Sequence, residues 1–319
     1  MHQKTICLIG GTGFVGQHLV HKLTQQGYRV RVLTRRRERH RGLIVNPAVT
    51  LIETDIHDAD ALRQQFKGID IVINLVGILN ESDSKGAGFR RAHVELPEKI
   101  VEAALATGVR RLLHMSALNA DAGEQHSLYL KTKGEGENLV HAAAARGLVV
   151  TSFQPSVIFG AGDSFFNRFA TLLKLSRPLF PLACPDSRFA PVYVNDVTAA
   201  MCRSLDDATG GERLELCGPE VYTLKELVSY TREQLGLCCK IAGLGDGLSR
   251  LQARMLGILP GKPFSLDNYY SLQKDSVCTD NALPTLGITP TPIAAVVPGY
   301  LANRNSRGHY NTFRRQSRR

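Results

Sequence analysis

The chain has 319 residues, of which 43% are hydrophobic and 21% charged, the balance of an ordinary globular protein with length for about two domains. This composition excludes a disordered or fibrous chain, and no apolar run reaches the ~18 residues that a membrane-spanning helix needs. The net charge of +10 is concentrated in residues 35–41 and in the tail 304–319, which holds six Arg and no acid. The remainder is balanced and lacks the aromatic-interleaved basic face expected of a nucleic-acid binder.

Residues 1–16, MHQKTICLIGGTGFVG, have neither the long apolar stretch nor the small-residue cleavage site of a secretory signal, so the expectation is a cytoplasmic protein. Residues 4–9 read as a short buried strand, and after a cluster of glycines a helix is predicted over 15–26, ended by Gly27. Residues 28–34 alternate and are rich in β-branched side chains, as a second strand should be. A third strand near 49–53 precedes a helix over 58–66. A fourth strand, 69–76, precedes a helix over 89–107. A fifth strand, 110–117, is followed by a helix over 128–146, and residues 148–160 form a sixth strand running into a turn.

Strands alternating with helices through short connections predict an α/β fold: a doubly wound parallel sheet of the Rossmann type. The expected division is a nucleotide-binding domain over 1–160, with 190–217 returning to it. Residues 161–189 and 218–303 would make a smaller, mostly helical substrate-side region. After about residue 160 the pattern turns irregular and rich in Pro and Phe, which suits loops and helices better than more sheet. The basic tail reads as a disordered extension able to meet an acidic partner or anionic lipid.

The glycine cluster carries the clearest chemistry. Gly10, Gly11, Gly13 and Gly16 fit both GxxGxxG and GxGxxG between the first strand and the first helix. A tight turn needs unusual φ values, a pyrophosphate needs backbone with no Cβ in the way, and the last glycine lets helix and strand pack closely. The helix N-terminus then offers N–H groups and the positive end of its dipole to phosphate. The turn residues Gly10, Thr12, Gly13, Phe14, Val15 and Gly16 are therefore assigned to a dinucleotide. An NAD-specific site usually places an acid about 20 residues beyond the glycines. Here Arg35 stands nineteen residues after Gly16, with Arg36 beside it. Guanidinium groups suit a 2′-phosphate, so NADP(H) is expected over NAD(H).

Tyr129 and Lys133 form a YxxxK pair that shares one helix face. A nearby ammonium would lower the phenol's pKa and ready Tyr129 for general acid–base work. Ser116, at the end of the fifth strand, could hydrogen-bond a substrate carbonyl. These three are the candidate catalytic residues. The seven cysteines are odd in number and form no CxxC pair, so each is expected to be a reduced, small buried hydrophobe. His18 and His21 share a helix face without a third ligand and read as surface residues; no metal site is expected. Residues 248–259 are amphipathic. Packing within the C-terminal region is the expectation, with a membrane surface or a partner helix as the alternative.

Together these residues resemble the short-chain dehydrogenase/reductase superfamily in its extended, atypical branch, over about residues 3–300. Within it, GGTGFVG, HMSALNAD (114–121), YLKTKGEGE (129–137), QPSVIFGAGDSFFNRF (154–169), PVYVNDVTAAM (191–201) and LPGKPFSLDNYYSL (259–272) are similar to the NADPH-binding accessory subunit of respiratory complex I and its bacterial relatives. The resemblance implies that Asp55 and Ile56 contact adenine and that Leu75, Val76 and Gly77 flank the cofactor. It gives Tyr129 the role of proton donor and sets Lys133 on the nicotinamide ribose, with Pro155, Ser156 and Val157 lining the nicotinamide end. His93 stands where many relatives carry an Asn that supports a proton relay. The implied function is an NADPH-dependent oxidoreductase acting on a carbonyl or hydroxyl group of a small substrate, quinone- or isoprenoid-related. Two alternatives stay open: a non-catalytic NADPH-binding subunit or assembly factor of respiratory complex I, peripheral at the inner membrane, and a nucleotide-sugar epimerase/dehydratase.

Overall fold

The computed structural model describes residues 4–81, 86–176, 178–258 and 264–301; the basic tail therefore lies outside the described residues. Six strands fall where the alternation places them: β1 (Thr5–Ile9), β2 (Arg29–Thr34), β3 (Val49–Glu53), β4 (Ile71–Asn74), β5 (Arg111–Met115) and β6 (Val149–Pro155). A further strand, Arg213–Leu216, pairs with β6, so the sheet has seven strands in the order 213–216, β6, β5, β4, β1, β2, β3. All its pairings are parallel, with registers such as Ile6↔Val30 and Ile6↔Ile71.

The strand period divides the core. Ile6 and Leu8 of β1 face one layer with Leu19, Val20 and Leu23 of α1 (Phe14–Gln25) and with Val197 and Met201 of the helix Val194–Arg203. Cys7 and Ile9 point to the other layer, against Leu62, Phe66, Ile100 and Val140. Burial on both faces explains why these strands are apolar almost throughout.

The helix expected over 89–107 begins at Ala87 and is interrupted by a π turn, Arg91–Glu95, before Leu96–Thr107. Pro97 is the cause, because it has no N–H to donate to the carbonyl of His93 four residues back. A Cβ on Gly136 would overlap that same carbonyl oxygen. The turn thus seats the helix Leu128–Ala142, whose N-cap Ser127 Oγ accepts from Leu130 N at 3.2 Å.

Beyond residue 160 the expectation of loops and helices needs correction. Three small sheets pair Ile158–Phe159 with Val192–Tyr193, Arg188–Phe189 with Tyr222–Thr223, and Leu179–Leu182 with Lys240–Gly243. They surround a separate cluster that includes Phe159, Phe166, Phe180 and Phe189. The reduced-thiol expectation also fails at one pair. Cys217 and Cys278 are joined in a disulfide, and Cys238 is exposed rather than buried. Among the described residues no helix is long and apolar enough to cross a membrane, and no group of three or more His, Cys, Asp or Glu is placed to hold a metal ion.

Candidate functional site

The glycine turn lies at the carboxyl end of β1. Gly10 has φ +83°, and a Cβ there would sit 3.1 Å from the Leu75 and Val76 backbone. A Cβ on Gly16 would lie 2.5 Å from the Gly10 oxygen, so α1 meets the turn with no space for a side chain. Gly13 caps α1 without a side-chain hydrogen bond, and the first helical turn carries no acid. This cradle, its open helix end and its lack of negative charge fit a pyrophosphate. Phe14 leans over Gly160, whose Cβ would approach the ring at 3.4 Å. The turn therefore meets the loop that follows β6.

A cavity of about 530 Å³ opens beside β2 and β3. It is lined by Arg35, Asp55 and His57, and by Arg91 of the π turn. Asp55 Oδ1 accepts from His57 N at 2.9 Å, while the buried His57 Nδ1 has no partner among the described residues. Glu53 also lines the cavity, whose two guanidiniums and orphaned ring nitrogen offer groups to a polar guest such as a phosphorylated ribose. Arg36 does not line this cavity; it precedes a short 3₁₀ turn, where its N–H faces Thr34 Oγ1 at 3.4 Å. Ile56 packs into the core layer beneath. Arg91 and His57 escaped the sequence reading because nothing in the local pattern shows that a π turn will face β3.

Lys133 is buried, and its Nζ donates to Met115 O at 2.9 Å. A Cβ on Gly77 would lie 3.0 Å from that nitrogen, so glycine is what lets the ammonium reach the end of β4. Burial pushes the Lys133 pKa down to about 8, with the Glu137 carboxylate opposing. The Tyr129 ring stands edge-on to His93, with centroids 5.6 Å apart, and to Phe89 at 6.1 Å. Its phenol is pushed up to about 12, first by burial and then by the charge of Asp267. The direction is opposite to the lowering expected from Lys133: burial and a carboxylate raise the phenol. Asp267 reaches in from the C-terminal region, and its Oδ1 accepts from Leu128 N at 2.5 Å and Tyr129 N at 3.3 Å.

One further expectation is corrected. The Ser116 hydroxyl is not turned to the cleft; it donates to Glu137 Oε2 at 3.0 Å. Glu137 is fully buried and also accepts from Ser152 Oγ and from Gln154 Nε2 at 2.8 and 3.1 Å, with Arg213 at 3.8 Å. Three hydrogen-bond donors and the Arg213 guanidinium stand in place of water around the carboxylate. Glu137 follows Lys133 by four residues, a spacing that could have flagged it. His93 is likewise saturated. Its Nε2 accepts from Ile78 N at 3.1 Å, so Nδ1 carries the proton and faces Thr132 Oγ1 at 3.0 Å, and that hydroxyl in turn donates to Leu128 O at 2.8 Å. Burial, with Lys133 and His114 nearby, pushes its pKa down to about 2. A neutral imidazole with both nitrogens engaged ties the π turn to the segment after β4 and to the helix Leu128–Ala142.

Ser156, after β6, donates to Ser276 O at 2.7 Å and so ties the loop with Pro155 and Val157 to the C-terminal segment. Cys217 to Cys278 makes the same connection covalently. The glycine turn, Leu75 to Gly77, Lys133 and the 155–157 loop all follow the carboxyl ends of parallel strands or the helix beside them, which is where open α/β sheets bind ligands.

A sheet of this order, with a glycine cradle at β1 and a Tyr–Lys pair on the helix after β5, defines a nucleotide-binding short-chain dehydrogenase/reductase fold. The chain belongs to the NAD-dependent epimerase/dehydratase family, whose model matches residues 6–217. It is 27% identical over 314 residues to the mitochondrial NADH-ubiquinone oxidoreductase 40 kDa subunit of Neurospora crassa, covering 96% of this chain and 81% of that protein. It is 34% identical over 249 residues to a ceramide reductase of Caulobacter vibrioides, covering 76% and 74%. The fold matches that of a dTDP-glucose 4,6-dehydratase from Streptomyces venezuelae with a TM-score of 0.73 at 20% identity, over 95% of this chain and 98% of that one.

Proposed function

We propose that the chain is an NADPH-dependent oxidoreductase that reduces a carbonyl, or oxidises the matching hydroxyl, of a small and partly apolar substrate. Residues 1–160 with 190–217 would hold the nucleotide, and 161–189 with 218–303 would shape the substrate side. The observation that carries this reading is Lys133 reaching Gly77 at the end of β4, with Tyr129 one turn earlier on the same helix and packed on His93. The nicotinamide supplies the hydride when bound. Gly10, Thr12, Gly13, Phe14, Val15 and Gly16 hold the pyrophosphate, and Arg35 and Arg91 hold the 2′-phosphate. Asp55 and Ile56 border adenine, and Leu75, Val76, Gly77, Pro155, Ser156 and Val157 border the nicotinamide half. Tyr129, protonated at neutral pH, donates its hydroxyl proton to the developing alkoxide. Lys133 sets its ammonium beside the ribose and offsets the negative charge left on the phenol. The apolar walls of Phe89 and the neutral His93 keep water from Tyr129.

A second reading has its own support. Ser116 is committed to Glu137, both ring nitrogens of His93 are engaged, and relatives include a subunit of NADH-ubiquinone oxidoreductase. On this reading the chain keeps NADPH as a structural ligand within a respiratory complex. Mass spectrometry of the nucleotide retained on purification, followed by its exchange rate and by NADPH oxidation with quinones and ketones, separates the two. Turnover with fast exchange supports the reductase. Stoichiometric NADPH that neither exchanges nor turns over with any of these acceptors contradicts it.

A further inference from the structure

The helix Asp246–Leu256 is inside out. Its small residues Ser249 and Ala253 are the buried ones, at 1% and 0% exposure. Its large apolar side chains face solvent instead: Leu248 is 58% exposed, Leu251 51% and Met255 64%, with Ile258 just beyond at 86%. The spacing of three, four and three residues makes one continuous stripe. The packing expected for this segment is present, but it uses the wrong face for a core helix.

The stripe continues onto a second element. Cys184 N donates to Ser249 Oγ at 3.1 Å, and Gln252 Nε2 donates to Pro181 O at 3.1 Å. The helix therefore runs back along the strand Leu179–Leu182, and its last turn arrives where Leu179 is 52% exposed and Leu175 82%. Four large apolar side chains in one stripe, with Leu175 and Leu179 exposed on neighbouring elements, exceed the scattered exposure normal for a monomer.

The charges around the stripe select its occupant. Arg250 and Arg254 flank it on the helix, Lys174 and Lys240 flank it on neighbouring elements, and all four are exposed. Across the helix Phe166–Leu175, the strands Leu179–Leu182 and Lys240–Gly243 and the helix itself, the one acid is Asp246, which accepts the Tyr269 hydroxyl. A second copy docking through this face would bring like charges together. So would the chain's own tail, with six Arg and no acid.

We propose that this face docks on an anionic lipid bilayer, with Leu248, Leu251, Met255 and Ile258 entering the acyl boundary and Arg250 and Arg254 at the phosphates. An apolar stripe with basic flanks lies in the plane of such an interface, at a depth of about 5–10 Å. Long basic side chains extend to the headgroups while their stems cover apolar surface. The inference is independent of the reaction proposed above.

The chain contains no Trp, so Met255→Trp gives a single reporter in the full-length protein, with Val45→Trp, 81% exposed in the native chain, as its control in the nucleotide-binding half. On vesicles of phosphatidylglycerol and phosphatidylcholine, emission from the Met255→Trp protein shifts to the blue and is quenched by acyl-brominated lipid, while the Val45→Trp signal stays put. Leu251→Asp weakens vesicle co-sedimentation about tenfold or more, with unchanged circular dichroism. Three results would overturn the proposal: an unshifted Met255→Trp spectrum, equal vesicle binding by wild type and Leu251→Asp (binding through the tail alone), or a blue shift that tracks protein concentration without vesicles (a second copy).

Discussion

On the proposed function, Arg35 and Arg91 would carry the discrimination between the two nicotinamide dinucleotides. Each is exposed on the wall of one cavity, and no ion pair among the described residues takes up either charge. Losing one charge-assisted contact to a phosphate costs ~1.5–3 kcal/mol, so Arg35→Ala raises the NADPH dissociation constant roughly tenfold to a hundredfold and leaves that for NADH nearly unchanged. Calorimetric titration of both nucleotides checks this. Arg36→Ala, outside the cavity, leaves both constants where they are. Arg35 was legible because its distance from the glycines is a chain distance; Arg91 was not, because only the folded π turn brings it there. Buried histidines give a second prediction at this scale. Burial pushes His93 down to about 2 and His114 to about 3, from the usual 6.5. Between those values and 6.5 the unfolded chain binds protons that the folded chain refuses, so stability is full above about pH 6.5 and falls as pH drops. Each histidine removes roughly 1–2 kcal/mol between pH 6.5 and 5. Urea unfolding at the two pH values measures the loss, and His114→Gln makes it smaller.

At the scale of the element, the Leu128–Ala142 helix is held by what it lacks. Gly134 packs against the backbone of Asp121 and Ala122, and Gly136 against the π turn at His93. Gly136→Ala must push the helix off that carbonyl. The cost is ~2–3 kcal/mol of stability, read by denaturant unfolding, with a larger loss of nucleotide binding because Lys133 moves too. The strands and helices up to residue 160 were legible because sheet burial on both faces and single-face helix burial leave strong periodicities. The π turn was not, because Pro97 looks like an ordinary first-turn proline. Nor was the fate of Ser116: sequence places it at the end of β5 but does not reveal that Glu137 lies beneath it.

For the whole molecule, many contacts fasten the C-terminal region to the nucleotide-binding half, and three of them lie at or near the candidate site. These are the Cys217–Cys278 bridge, the Ser156–Ser276 contact and the Asp267 cap over Tyr129. The bridge closes 61 residues of sequence, and its reduction lowers stability by ~2–4 kcal/mol. Thiol titration of the unfolded chain without reductant finds five reactive cysteines, rising to the full seven after reduction. The odd cysteine count concealed this pair, since a lone disulfide leaves no spacing pattern. The small sheets were hidden too, because strands of two to four residues are too short to show a period. Tyr129 meets both halves, and the proposed chemistry rests on it. The most direct test is single-turnover mixing of the NADPH-loaded protein with a carbonyl series, including quinones and long-chain ketones, in wild type and Tyr129→Phe. The account predicts NADPH oxidation with at least one acceptor and a loss of about a hundredfold or more in Tyr129→Phe at unchanged NADPH affinity. Oxidation at equal rates in the two proteins would contradict it.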